Sequence, residues 1–490
     1  MKRVEYRLVH QLTRLTLNRP KSVLLALGAI TAFLAAGLPN LRTEFGYRVL
    51  VGDDHPSIVA LDELIHQYGG GFPLYIAWEC GDGFPCDTVF DIESLEMAYS
   101  LTRTMSAFPG IVNVESPATT GLLTPAAGGF DIRRFVEDGK VVPDAEELAL
   151  RALDDPLWAG TLISSDGTVG VIILQTSDSE NETGVGVVDA VLRTIAPFET
   201  QGFEFHLVGD LVSTVIAGRD LATSTANLIP FTVLVIGLVL LALSRSVQSA
   251  AITLATMGVA LIWTFGLLGW LDWPQDGILE VLAPLILIVG VCDAVHLMSR
   301  YAVEVTGRTE AIPRERRRAA LMAASKEVGP PCLITTLTTC GAFLSFVTSA
   351  LDTFIRFGVI SAFGVAACLI LTFTLLPPLV VLRPTEGAPA ARASRSWQPT
   401  LSAMVRTAET RAAPILLVAM AGFVVCGIGW LATLRVDTNW IESFGQQSRV
   451  IQWIQFLEDR VRPTQSLEID IKLPPTVALE DPATLRRIQA

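Results

Sequence analysis

Seven runs of mainly apolar residues set the limits of what this chain can fold into: Val23–Leu38, Leu228–Leu243, Ala250–Leu271, Ile278–Leu297, Cys332–Val347, Ile355–Leu382 and Ala413–Leu434. A helix needs roughly 20 such residues to cross a bilayer, where each backbone polar group must be bonded within the segment. The expected fold class is a membrane protein, a mainly α-helical bundle of about seven transmembrane helices. A charged fraction of 17% and a mean hydropathy of +0.48 set the chain apart from ordinary soluble proteins. The first run follows the basic "MKRVEYR", as in a cleaved leader. It starts late, however, and "GLPNLRTEF" is a poor small-residue cleavage site, so a retained first helix is expected.

Basic residues give the orientation, because Lys and Arg concentrate in cytoplasmic loops. They cluster before span one (Lys2, Arg3, Arg7, Arg14, Arg19, Lys21), after span four (Arg300 to Lys326) and after span six (Arg383 to Arg411). The loops "DWPQDG" and "SALDTF" carry none. The chain therefore divides into a cytoplasmic N-terminus (1–22), a first span (23–39) and an external, periplasmic α/β domain (40–226). A bundle of spans two to six (227–383), a cytoplasmic linker (384–412) and a seventh span (413–434) follow. Residues 435–490 read as the start of a second, truncated external domain. The location expected is the bacterial inner membrane, with the N-terminus inside.

The formal charge of -13 is concentrated in the external region, where residues 40–226 hold 29 acidic and 9 basic side chains. Such a balance excludes nucleic acid as partner, since phosphate binding needs clustered cations. Strand-like and helical patterns alternate there: "PLYIAWEC", "DIESLEMAYSLTRTMSAF", "IVNVES", "GTVGVIILQT", "VGVVDAVLRTIAPF" and "FEFHLVG". The alternation predicts βαβ units. Cys80 and Cys86 flank the turn-forming "GDGFP". They form either a short disulfide, if the region faces an oxidising compartment, or two free thiols. Zinc would need two further ligands, and none stands close in sequence.

The stretch after span one, "LRTEFGYRVLVGDDHPSIVALDEL", has a counterpart after span seven, "LRVDTNWIESFGQQSRVIQWIQFLE". Each has a Leu-Arg pair, an acidic residue, a linker and an amphipathic helix. Two copies of one such unit would need about twice this length, so the chain reads as a fragment or a truncated product. Internal duplication of this kind recurs in secondary transporters.

Span four carries the chemistry. In "GVCDAVHLMSRY" Asp293 and His296 lie within a membrane-spanning run. A charge at mid-span costs about 2.5–3.5 kcal/mol on insertion scales, and such groups usually face a protein interior and serve a function. Gly290, Asp293 and His296 are three apart and share a helix face, with Gly290 a packing position beside the acid. Span five supplies Thr335, Thr336, Thr338 and Thr339. Helical spacing puts Thr335 and Thr339 on one face, with Thr336 beside them. Hydroxyls there can bridge helices and pass a proton to a carboxylate. Asp293, His296, Thr335, Thr336 and Thr339 are the proton-relay candidates. The structural alternatives are a helix-packing carboxylate, a histidine at the water boundary and threonines as interhelical glue.

"GVCDAVHLMSRY", "GPPCLITTLTTCGAFLSF" and "FGVISAFGVAACLILTFTLLPPLVVL" together resemble the RND superfamily of transporters, in its MMPL-like, predicted-exporter branch with a sterol-sensing-type bundle. The resemblance implies a ferredoxin-like, porter-type external domain and a proton-relay role for Asp293. It implies export of a hydrophobic or amphipathic substrate, a lipid in particular, driven by the proton gradient without a cofactor. The implied partners are membrane lipids and that substrate, with a homo-oligomer or a periplasmic protein left open. Two other functions fit the same bundle, a sterol-sensor-like lipid receptor and a SecD/SecF-like translocation auxiliary. No GxSxG, HExxH or phosphate-binding glycine loop points to an enzyme.

Overall fold

The computed structural model describes residues 11–44, 46–68, 73–126, 129–176, 182–244, 246–306, 313–382, 391–433 and 448–462. Helix α1 is Pro20–Ala35, followed by the short α2 (Tyr47–Val51) and α3 (Pro56–Tyr68). Then come β1 (Pro73–Glu79), α4 (Ile92–Ser106), β2 (Ile111–Glu115), β3 (Leu122–Ala126), β4 (Gly129–Arg133), β5 (Val136–Glu137) and β6 (Lys140–Val141). Helix α5 (Ala145–Asp154), β7 (Val169–Thr176), α6 (Glu182–Glu199) and β8 (Phe205–Val208) complete the α/β region. The remaining helices are α7 (Asp210–Ser244), α8 (Val247–Trp270), α9 (Leu282–Thr306), α10 (Pro313–Leu344), α11 (Asp352–Thr374), α12 (Leu376–Leu382), α13 (Ala391–Thr433) and α14 (Arg449–Arg460). The chain forms two compact units, Met1–Asp53 with Gly218–Thr438, and Asp54–Ala217 with Asn439–Ala490.

The α/β unit is built on a four-stranded sheet of order β2-β7-β1-β8, with antiparallel pairing throughout. Strands β1 and β2 are therefore parallel to each other and separated by β7, while β7 and β8 are separated by β1. Each pair is joined through a helix, α4 or α6, so the unit is a double split βαβ, the ferredoxin-like arrangement. The two central strands are buried along almost their whole length, which explains their continuous apolar sequences. Trp78 fills the space a side chain at position 170 would take: a Cβ on Gly170 would lie 2.2 Å from its ring. The Trp78 indole donates to Ser94 Oγ at 2.9 Å. Cys80 and Cys86 form a disulfide.

The helix after the seventh span departs from expectation. Residues 435–490 read as the start of a separate domain, yet Arg449–Arg460 packs in the core of this first α/β unit. Val450, Ile454 and Leu457 are spaced to form one apolar face, and they bury against the β8 side of the sheet. Phe456 stacks on His206 with ring centroids 3.7 Å apart. Arg460 donates to Glu79 and to Thr168, both at 2.9 Å. Burial holds the His206 imidazole below its ordinary pKa. Helix α3, the counterpart of α14 in the repeat, contributes no residue to that core. The rest of the stretch after Thr433 lies outside the described residues apart from 448–462.

Among the described residues the other unit holds seven helices long and apolar enough to cross a membrane: Pro20–Asn40, Ala226–Ser244, Val247–Trp270, Leu279–Thr306, Pro313–Thr348, Asp352–Leu382 and Thr410–Leu431. Small residues let them approach closely. Gly37, Gly266 and Gly269 bring span one against span three, where a Cβ on Gly266 would meet Leu34 O at 2.1 Å. Indole donors bind the same pair: Trp263 to Thr31 Oγ1 and Trp270 to Phe33 O, each at 2.9 Å. Helix α7 continues through Pro230 as one 35-residue helix. Helix α10 is longer than its apolar run, because the basic "PRERRRAALMAASKEV" forms its first half and the helix runs on through Pro330 and Pro331. In the loop before α9, Asp276 Oδ1 accepts from the amides of Ile278 and Leu279 and so caps the helical turn there.

Candidate functional site

Asp293 sits midway along α9 and is 7% exposed. The helix reaches its neighbours through Gly290, where a Cβ would lie 2.4 Å from Met257 Sδ and 2.6 Å from Cys368 Sγ. That close approach, one turn before the acid, holds Asp293 inside the bundle. Its partners come from α10. Thr336 Oγ1 donates to Asp293 Oδ2 at 3.5 Å, the long end of the hydrogen-bond range. The Cys332 thiol lies beside the same carboxylate. Cys332 and Thr336 are four residues apart, so one face of α10 presents both, and both are buried.

The other candidates fall elsewhere. Thr335 and Thr339 do share a side of α10, as their spacing implies, but it is not the side that meets Asp293. Thr335 donates to the carbonyls of Pro331 and Cys332, and Thr339 to that of Thr335. Thr338 likewise donates to Ile334 and Thr335. These hydroxyls are satisfied by their own helix and reach no other element. His296 is exposed on α9, about one turn beyond Asp293. One turn further, Arg300 pairs with Glu304 at 2.8 Å and with Glu327 at 2.7 Å, tying α9 to α10 beyond the acid.

Cys332 is not among the residues the sequence marks for the site, although its four-residue spacing to Thr336 is the available signal. The site can hold a proton at Asp293, keep the carboxylate dry and offer it a hydroxyl and a thiol from a second helix. Among the described residues no group of three or more His, Cys, Asp or Glu side chains could hold a metal ion.

Comparisons with known proteins agree with this architecture. The model of the MMPL family matches residues 99–433, which include spans two to six and Asp293. The "Putative membrane protein MJ1562" of Methanocaldococcus jannaschii is 26% identical over 378 residues, covering 74% of this chain and 91% of that protein. The hopanoid transporter HpnN of Burkholderia multivorans is 27% identical over 312 residues, covering 64% of this chain and 33% of HpnN.

Proposed function

The chain belongs to the MMPL family, and we propose that it is an exporter of a hydrophobic or amphipathic molecule, a lipid, driven by the proton-motive force through Asp293. The coarse part of this reading, a multi-pass membrane protein of transporter type, follows from the family and the seven spans. The observation that carries the rest is the buried Asp293 carboxylate held between α9 and the Cys332–Thr336 face of α10. A group able to gain and lose a proton at a helix interface changes the charge of that interface, and so changes which packing is favoured. The lipid class draws support from the similarity to a hopanoid transporter. In this reading the protein lies in the bacterial inner membrane with its N-terminus in the cytoplasm and its α/β unit in the periplasm.

Energetics constrain the route. One proton crossing 100 mV releases about 2.3 kcal/mol. Moving a fourteen-carbon tail into water costs roughly 11 kcal/mol at about 0.8 kcal/mol per methylene. A lipid cargo must therefore travel along a sheltered apolar path rather than through water. Reconstitution of the full chain in liposomes tests the reading. Movement of a fluorescent lipid should require an imposed pH gradient and stop when a protonophore collapses it. Movement at the same rate without the gradient would overturn proton coupling.

A further inference from the structure

Threonine hydroxyls inside the bundle are commonly satisfied one turn back. Thr256 donates to Ile252 O, Thr264 to Ala260 O and Thr374 to Ile370 O. Ser249 and Thr253, one turn apart on α8, break the pattern. They are 5% and 3% exposed, and among the described residues neither hydroxyl has a hydrogen-bond partner. Both line a cavity of about 50 Å³ between the end of α7, the start of α8 and the second half of α9. Leu240, Val295 and Met298 form apolar parts of its wall, and Ser299, which is exposed, also lines it, so the cavity opens to the outside of the bundle.

We propose that this cavity is a binding site for the uncharged, hydroxyl-bearing head of a membrane amphiphile of the monoacylglycerol class. The lining selects the chemistry. Among the described residues it contains no charged side chain, so a phosphate head would enter without a cation from those residues to pair it. A purely apolar occupant would leave two buried hydroxyls unpaired. A head with one or two hydroxyls satisfies both and fits the space, since a single water needs about 10–15 Å³ on this measure. The tail has a surface to lie on, because Leu234 and Leu238, one turn apart on α7, are 59% and 58% exposed. The site stands on the geometry of α7, α8 and α9 and does not depend on proton coupling at Asp293. In the orientation proposed above it opens to the cytoplasmic leaflet.

Photolabelling of the full chain tests it. A monoacylglycerol carrying a diazirine near the head should label the Leu240–Ser244 and Val295–Ala302 segments, as mapped by mass spectrometry. Each hydroxyl removed should weaken labelling about five-fold, the equivalent of about 1 kcal/mol per hydrogen bond. Ser249→Ala with Thr253→Val should therefore lower it about 25-fold. If that double variant does not fold, the single variant Ser299→Ala, at an exposed position, should still lower labelling several-fold. A lysophosphatidic acid with the same tail and diazirine should label at least about ten-fold less. Equal labelling by the charged lipid, labelling unchanged in the variants, or labelling no stronger than that by the diazirine-bearing tail alone, which would leave water as the occupant, each overturns the proposal.

Discussion

Two sides of the same helix carry hydroxyls, and they behave differently. On one side of α10, Thr336 and Cys332 reach across to the carboxylate of Asp293 on α9. On the other, Thr335, Thr338 and Thr339 bond back to their own helix. Residue type and depth along the chain are nearly the same, so the difference lies in what faces each side. A helical threonine can satisfy itself against the carbonyl one turn back where nothing else is in reach. It contributes to chemistry only where packing brings a partner within reach. The threonine cluster is therefore one interhelical contact beside three locally satisfied groups.

Substitutions that respect this division should have very unequal effects. The largest is expected for Asp293→Asn, which keeps shape and hydrogen-bonding capacity but cannot release a proton. Gradient-driven lipid movement in liposomes should fall by at least about 100-fold, the scale of a lost proton-transfer group, with expression and folding retained. Next is the double change Cys332→Ala with Thr336→Val, which strips the carboxylate of both neighbours from α10. Transport should drop by more than about five-fold, the scale of one lost hydrogen bond with the loss of the neighbouring thiol added. Thr336→Val alone should cost about five-fold, read in the same assay. Thr339→Val should stay within about two-fold of wild type, as for a surface change that removes no interhelical contact. A Thr339 effect as large as that of Thr336 would erase the distinction between the two sides.

The sequence makes one part of this site legible and hides another. Asp293 stands out because a carboxylate within an apolar run has few structural excuses. Which hydroxyl meets it depends on the rotation of α10 about its axis. Thr335 and Thr336 differ by one residue, about 100° on a helix, and four threonines in five positions point nearly all ways. The Arg300–Glu327 pair ties α10 to α9, and it is not a local property of span five.

The fold divides in the same way. The seven spans follow from run length alone, and strand–helix alternation is enough to expect the α/β unit. That β7 inserts between β1 and β2 is a long-range choice with no local marker. The placement of α14 is of the same kind. Its repeat relationship to α3 suggests an equivalent position in a second domain, whereas Val450, Ile454 and Leu457 bury against the first. An amphipathic period says that a helix will cover something, not which surface it covers.

The central claim is that Asp293 gains and loses a proton inside the bundle. Infrared difference spectroscopy of the purified chain in lipid, on stepping the pH, observes this directly through the stretch of a protonated carboxyl group. Wild type is expected to show such a band, shifted when Thr336 is changed to Val and absent in Asp293→Asn. An identical pH-dependent band in wild type and Asp293→Asn would mean that the proton is held elsewhere, and would contradict the account.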